Sequence, residues 1–419
     1  MEHSWHSVIK FIAKQKLPRV NAMNAKQVLS KCLSLVTPLM HKTRRQSLFS
    51  AIESSMNGGS LSITGLGRGI DSNALEKHKI KRVDRLCSNA NLHRDIEFIY
   101  TRMAYLLVGT MKQPIIHIDW SDLDDRKQHF LIRASLAAQG RSLTLYEEIH
   151  PLNKKEKPKT HLLFMTKLKA MLPNDCKPII VTDAGFRIPW FKQILSLNWD
   201  YVGRFRNRTH CRKSAVHHWY PVKKLYAQAS SIAKNIGVYF LGEQTSFSSR
   251  LVIFKREPKG RKDRTATGDK ARRSKRSRAN AEREKEPWLL ATSLCNSSAT
   301  AKRVVKIYAT RMQIEEGFRD VKTGLKMNDS GTRISSRLSV LLLIACLSQF
   351  VLYLLGLAVK AAGKHRQYQA NSIKHRNVLS NQFIGLRAYK DRKLRLLKSH
   401  WRTAIKTLQG LVRDPQACY

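Results

Sequence analysis

The chain has 419 residues, with 77 Lys plus Arg against 30 Asp plus Glu, a formal charge of +47 at neutral pH. A positive field that strong gathers polyanions and releases their counterions, so nucleic acid is a better-motivated partner than an acidic small molecule, with a membrane surface as the other option. A hydrophobic share of 42% excludes a disordered basic tail and, at this length, points to two to four domains with real cores.

Seven cysteines (Cys32, Cys87, Cys176, Cys211, Cys295, Cys346, Cys418) are scattered without a CxxC pair. That pattern supports neither a disulfide framework nor a zinc finger and fits the reduced thiols of a cytosol. Met1 to Lys10 shows no basic stretch followed by an apolar run, so no secretory signal is expected, and a cytoplasmic, nucleoid-associated protein is.

Residues 1–108 read as an N-terminal helical domain, with Leu29, Cys32, Leu33 and Val36 on one helical face. Within it, LSITGLGR (61–68) followed by KHKIKRVDRL (77–86) resembles two helices joined by a turn, a DNA-recognition arrangement with Arg68, Lys81, Arg82 and Arg85 as candidate contacts. Gly65, Gly67 and Gly69 imitate a phosphate loop, but no strand precedes them and no Lys-Ser/Thr follows.

Residues 109–206 change period. PIIHID (114–119), HFLIRASLA (129–137) and LTLYEE (143–148) are strand-like, with Gly140 at a hairpin turn. A helical run from His161 to Leu172 then leads to the apolar strand PIIVT (178–182), which ends at Asp183, so the alternation reads α/β.

After the strand Tyr201 to Phe205, residues 207–286 read as a β-rich basic insertion, with short strands at Val238 to Leu241 and Arg250 to Phe254. Between Lys255 and Lys285, 14 basic residues face 5 acidic ones, a segment unable to fold alone and suited to clamping nucleic acid through residues such as Arg272 and Arg273. Residues 287–360 resume the core with the strand WLLATS (288–293), a helix from about Ala301 to Lys322, and an apolar run from Leu338 to Val359. That run is long enough to span a membrane, but it would be a lone span between large basic regions, so a buried core helix is expected. Residues 361–419 read as a basic helical C-terminal region.

Asp119 and Asp183 end apolar strands 64 residues apart. A carboxylate in such a place must meet a cation or hydrogen-bond donors, and two in one α/β region suggest a shared pair of divalent metals. In YATRMQIEEGFRDVK (308–322), continuous helical steps put Tyr308, Arg311, Glu315 and Lys322 within an arc of about 60°, beside an apolar face of Ile307, Ile314, Phe318 and Val321. An exposed Arg311–Glu315 ladder is the plain reading of that stripe. A metal carboxylate flanked by groups that grip phosphate is the functional one. Glu316 is the nearest competitor of Glu315, about 100° away around the helix.

Asp122, Asp124 and Asp125 are not expected to be ligands, and Trp120 and Trp190 read as packing around the acids. His210, Cys211, His217 and His218 lack paired metal-ligand spacing.

The order Asp119, Asp183, Glu315 with Y-x2-R-x3-E-x6-K resembles the DDE insertion-sequence transposases of the IS-four family. The likeness extends through DWSD, IRAS, GRSLTLYEE, VTDAGFRIPW, EPWLLATSL and NVLS. It implies an RNase H-like catalytic domain with a β-rich insertion between Asp183 and Glu315, which are 132 positions apart, preceded by a helical DNA-binding domain and followed by helices that dimerise.

The resemblance also implies two Mg2+ ions, replaceable by Mn2+, on Asp119, Asp183 and Glu315, with Tyr308, Arg311 and Lys322 on phosphates and Trp288 stacking on a flipped base. Double-stranded DNA, as element ends and target, is then the partner of a homodimer, with neither a membrane nor a small-molecule substrate. An RNase H-like nuclease without strand transfer and a non-catalytic DNA-binding descendant remain the alternatives.

Overall fold

A computed structural model describes residues 23–124, 126–206, 209–257, 274–295, 297, 300–370, 372 and 375–415. The chain forms two compact units. One comprises residues up to Cys176 together with Met312 onward, and the other Lys177–Arg311.

Among its described residues, the first unit begins with five helices: α1 (Ala25–Val36), α2 (Lys42–Met56), α3 (Ile63–Arg68), α4 (Glu76–Cys87) and α5 (Ala90–Val108). Helix α1 starts in a capping box, Asn24 Oδ1 accepting from Gln27 N at 2.9 Å and Gln27 Oε1 accepting from Asn24 N at 3.0 Å. It buries Val28, Leu29, Cys32, Leu33 and Val36, the expected face. Gly65 and Gly67 lie inside α3 rather than in a loop. A Cβ on Gly67 would stand 2.5 Å from Ile80 Cα, so that glycine lets α3 and α4 pack backbone to backbone and cradles no phosphate.

Strands β1 (Ile115–Asp122), β2 (Phe130–Leu136) and β3 (Leu143–His150) follow as an antiparallel sheet in the order β3-β2-β1. Gly140 turns the β2–β3 hairpin at φ +82°. Helix α6 (Pro158–Met171) starts on a proline, whose missing N–H costs nothing at that position.

The second unit holds β4 (Ile179–Thr182), α7 (Ile188–Ser196), β5 (Asp200–Phe205), β6 (His210–Arg212), β7 (Tyr220–Pro221), β8 (Lys234–Leu241), β9 (Phe247–Phe254), α8 (Lys275–Lys285), β10 (Trp288–Thr292) and α9 (Thr300–Ala309). Its seven strands run in the order β4-β5-β10-β9-β8-β6-β7, parallel between β4 and β5 and antiparallel elsewhere. The strands read between 207 and 286 are therefore present, but the basic segment is not wholly irregular. Residues 275–285 are helical, capped by Ser274, and Arg206 Nη2 donates to Arg283 O at 3.3 Å to hold the end of α8. Arg272 and Arg273 lie outside the described residues.

The first unit resumes with α10 (Met312–Arg319), a π-turn (Asp320–Gly324), α11 (Ser335–Ala361), α12 (Asn381–Lys390) and α13 (Lys398–Arg413). The single helix read across 301–322 is thus broken at Thr310–Arg311. Thr310 Oγ1 donates to Ile307 O at 2.6 Å, and the amides of Thr310 and Arg311 each reach back three residues instead of four. This side-chain bond competes with the helical pattern. The arc of about 60°, which assumed unbroken 100° steps, does not survive the break and the π-turn.

Helix α11 has a window of mean hydropathy 2.5, yet 94% of that window is buried in the protein, as a core helix requires. It packs against α2, α5, β3, α12 and α13. The N-terminal helices therefore share their core with the C-terminal ones instead of forming a compact unit of their own. Backbone bonds from Met23 N to Leu396 O and from Leu61 N to Leu325 O, both 2.9 Å, tie these segments together.

Candidate active site

The residues singled out from the sequence sort into two groups, one in each unit. Asp119, Glu315 and Lys322 belong to the first; Asp183, Trp288, Tyr308 and Arg311 belong to the second.

Asp119 is half-buried towards the end of β1, where Oδ1 accepts from Trp120 N at 2.8 Å. Its cross-strand neighbour is Arg133, whose own neighbour on β3 is Glu147. Paired residues in adjacent strands share a face, so carboxylate, guanidinium and carboxylate form a row across the sheet. Arg133 and Glu147 have side chains only 3% and 1% exposed and meet at 2.7 Å, while Tyr100 OH donates to the other Glu147 oxygen at 2.8 Å. Burial, reinforced by the Glu147 charge, holds the Tyr100 hydroxyl protonated far above its ordinary range.

Helix α10 lies against β1 and carries Glu315, half-buried, in its first turn, where the partial positive charge of the helix end favours a carboxylate. Glu316 is drawn elsewhere, to Arg319 at 2.8 Å and to Arg141 at 3.5 Å. Lys322 sits half-buried in the π-turn.

Neighbouring polar residues serve the scaffold. Trp120 Nε1 donates to His161 Nε2 at 3.0 Å, and burial pushes the His161 imidazole down to about 4, which keeps it neutral as the acceptor. Asp122 meets Lys155 at 3.2 Å. Burial works against ionisation of Asp124, yet bonds from the Gln128 and His129 amides and the His129 ring lower its carboxyl overall. Asp125 lies outside the described residues.

In the second unit, Asp183 follows the fully buried β4, and its Oδ1 accepts from Gly185 N at 2.8 Å. Trp190 is core, its ring 4.6 Å from that of Phe186. Tyr308 is buried and meets Trp288 edge to face at 4.9 Å, with the Arg311 guanidinium 5.9 Å from its ring. Trp288 is half-buried, with Phe254 and the Arg256 guanidinium each 5.9 Å away. Arg204 Nη2 donates to the carbonyls of Glu286 and Pro287 at 3.2 Å, fixing the entry to β10.

Among the described residues no group of three or more His, Cys, Asp or Glu side chains gathers as a metal cluster. The donors proposed from the sequence nonetheless suit a hard divalent ion. All are carboxylates, and Asp119 and Asp183 each have one oxygen oriented by a main-chain N–H. In the His210 to His218 segment Cys211 is buried, and burial pushes its thiol up to about 11.

On the DNA-recognition side, Arg68 pairs with Glu76 at 2.9 Å, Lys81 with Asp84 at 3.0 Å, and Arg82 Nε donates to Ser47 Oγ at 3.1 Å. Arg85 is exposed. The Arg68 and Lys81 pairs are solvent-facing and worth about 1 kcal/mol at most, so phosphate competes for them easily.

The family model for the transposase DDE domain matches residues 110–350, more than half of the chain. The chain belongs to the DDE transposase family. No curated protein matches it. The matched segment of this transposase runs from the start of the β1–β3 sheet into α11 and contains Asp119, Asp183 and Glu315, while α1 to α5, α12 and α13 lie outside it. As a DDE transposase it is a nuclease-type enzyme acting on DNA, in a family that generally uses divalent metal ions.

Sequence reasoning passed over Arg133, Glu147 and Arg141. The available signal was Arg133 itself, a guanidinium in a strand whose seven residues are all buried.

Proposed function

We propose that this protein is a cut-and-paste transposase of the IS-four type, like that of the tetracycline-resistance transposon ten. It binds the terminal inverted repeats of its element as a homodimer, nicks the ends, frees them through hairpin intermediates and joins the 3′ ends to target DNA. The observation that carries this reading is that, in a DDE-domain chain, the helix bearing Glu315 lies against the strand bearing Asp119, while Glu316 is held by two arginines.

Asp119, Asp183 and Glu315 would hold two Mg2+ ions, with Mn2+ as a substitute. When bound, such a pair activates the attacking hydroxyl and stabilises the leaving oxygen of an in-line displacement. Arg311, Tyr308 and Lys322 grip phosphates beside the scissile bond. Trp288 receives a flipped base, which displaces Arg256 from over its ring. The C-terminal helices α12 and α13 provide the contact with the partner subunit, with Phe383 on α12 and Leu397 at the start of α13 exposed.

The test is incubation of element-end DNA with the protein and Mg2+, resolving nicked, hairpin, excised and strand-transfer products on gels. D119N, D183N and E315Q are expected to abolish every product, and E316Q to retain them. An inactive E316Q beside an active E315Q overturns the ligand assignment. Cleavage without strand transfer indicates a nuclease, and end binding without cleavage a non-catalytic protein.

A further inference from the structure

We infer that Arg141, at the β2–β3 turn, is a positioning residue that sets the Glu315 helix against the strand of Asp119; this rests on the functional reading above. Arg141 Nε donates to Asp320 Oδ2 at 2.8 Å, and its Nη2 lies 3.5 Å from Glu316 Oε2. These two acids are successive on one side of the chain, four residues apart, and flank the end of α10. The same hairpin grips the beginning of α10 as well, since Ala138 N donates to Gln313 Oε1 at 3.0 Å. Between these ends, the Arg133 guanidinium sits 4.9 Å from the Phe318 ring. A Cβ on Gly317 would lie at ordinary van der Waals distance, 3.7 Å, from Arg133 Nη1, so this turn of the helix also faces the buried arginine.

One hairpin thus holds α10 at Gln313, Glu316 and Phe318, and the π-turn after it at Asp320, on both sides of Glu315. The grip has a mechanical purpose, because the chain enters α10 directly from the Thr310–Arg311 break, which is also where it passes from the second unit to the first. Eight residues of helix have little stability of their own and take their position from what they pack against. Arg141 is suited to this task. Its Nη1 also donates to Gly140 O at 3.1 Å, which anchors the guanidinium to the hairpin it extends from. The side chains of Arg141, Glu316 and Asp320 are 22% to 29% exposed, so the contact is partly shielded from solvent. A displacement of about 1 Å at a reacting centre costs on the order of a hundredfold in rate, so a brace outside the chemistry has leverage over it.

The experiment compares wild type, R141A and R141K, with the charge exchange R141D/D320R as the rescue. Binding of element-end DNA, the Mg2+ concentration for half-maximal cleavage, and hydrogen exchange of the metal-free protein are measured. For R141A the expected results are unchanged end binding, cleavage reduced about ten- to a hundredfold, and a Mg2+ midpoint raised severalfold. Exchange should be faster in 312–319 and unchanged in β1 to β3, with R141K and the charge exchange each recovering part of the midpoint shift. A wild-type Mg2+ midpoint and wild-type exchange in R141A overturn the inference. So does faster exchange throughout the first unit in both R141A and R141K, which marks a general folding role. If wild type cleaves no end DNA while R141A still loosens 312–319 selectively, the functional reading fails and the brace stands.

Discussion

Arg133 occupies a position where an unpaired charge would be prohibitive, and its surroundings define what the sheet tolerates. Every residue of β2 is buried, so the guanidinium depends on the Glu147 carboxylate, and that carboxylate in turn takes the Tyr100 hydroxyl. Removing one partner of a pair this deep leaves the other charge stranded, at a cost of about 3–5 kcal/mol, whereas replacing both with apolar groups of similar volume is close to neutral. R133M should therefore lower the urea midpoint of the protein strongly, and R133M/E147L should recover part of the loss, the remainder reflecting the buried Tyr100 hydroxyl that loses its acceptor. Equal losses in the single and double variants would mean that packing, not charge, governs the site. The arginine was visible in HFLIRASLA as an anomaly, but its partner was not. Glu147 and Glu148 are adjacent in sequence and point to opposite faces, and the β-bulge at Ala134/Ser135 shifts the register that decides between them.

Helices α11 and α12 show how a contact between elements can rest on two missing side chains. A Cβ on Gly356 would stand 1.9 Å from Asn381 O, and one on Gly385 would stand 1.9 Å from Leu352 O, so each helix needs glycine where the other's backbone passes. Even one added methyl forces the helices apart, and overpacking of this kind costs about 1–3 kcal/mol. G385A should lower the urea midpoint accordingly, while G410A on α13, where a Cβ meets nothing within 4 Å, should leave it unchanged or raised. Equal effects of the two would exclude close packing as the reason for Gly385. Elements built on long apolar runs, such as α11 and β1 to β5, were legible in the sequence because a helix or strand buried on most of its faces needs an almost unbroken apolar stretch. The break after α9 was not. Tyr308, Arg311 and Glu315 fit a continuous helix equally well, and the interruption comes from the hydroxyl of Thr310 turning to its own backbone, a choice that periodicity does not record.

For the whole molecule, charge and connectivity carry different information. A formal +47 identified a polyanion as partner but located no surface for it, because basic residues are spread along the chain. The pairing of Asp119 with the Glu315 helix was foreshadowed only by the order of the three acids; the structure places these two in one compact unit and Asp183 in the other. Helix α4 offers a definite test of where the charge acts. Lys81 and Arg85 are exposed on it, and Arg68 reaches it through a solvent-facing pair with Glu76. Each phosphate neutralised by a basic side chain steepens the dependence of log K on log salt by about 0.9. R68Q/K81Q/R85Q should therefore weaken binding to element-end DNA and make the salt slope shallower by about 2 to 3, as read from binding isotherms between low and moderate salt. A specific contact would be lost together with the preference for end DNA over random duplex. A purely electrostatic one would lower both affinities in parallel, and an unchanged slope would remove α4 from the DNA interface altogether.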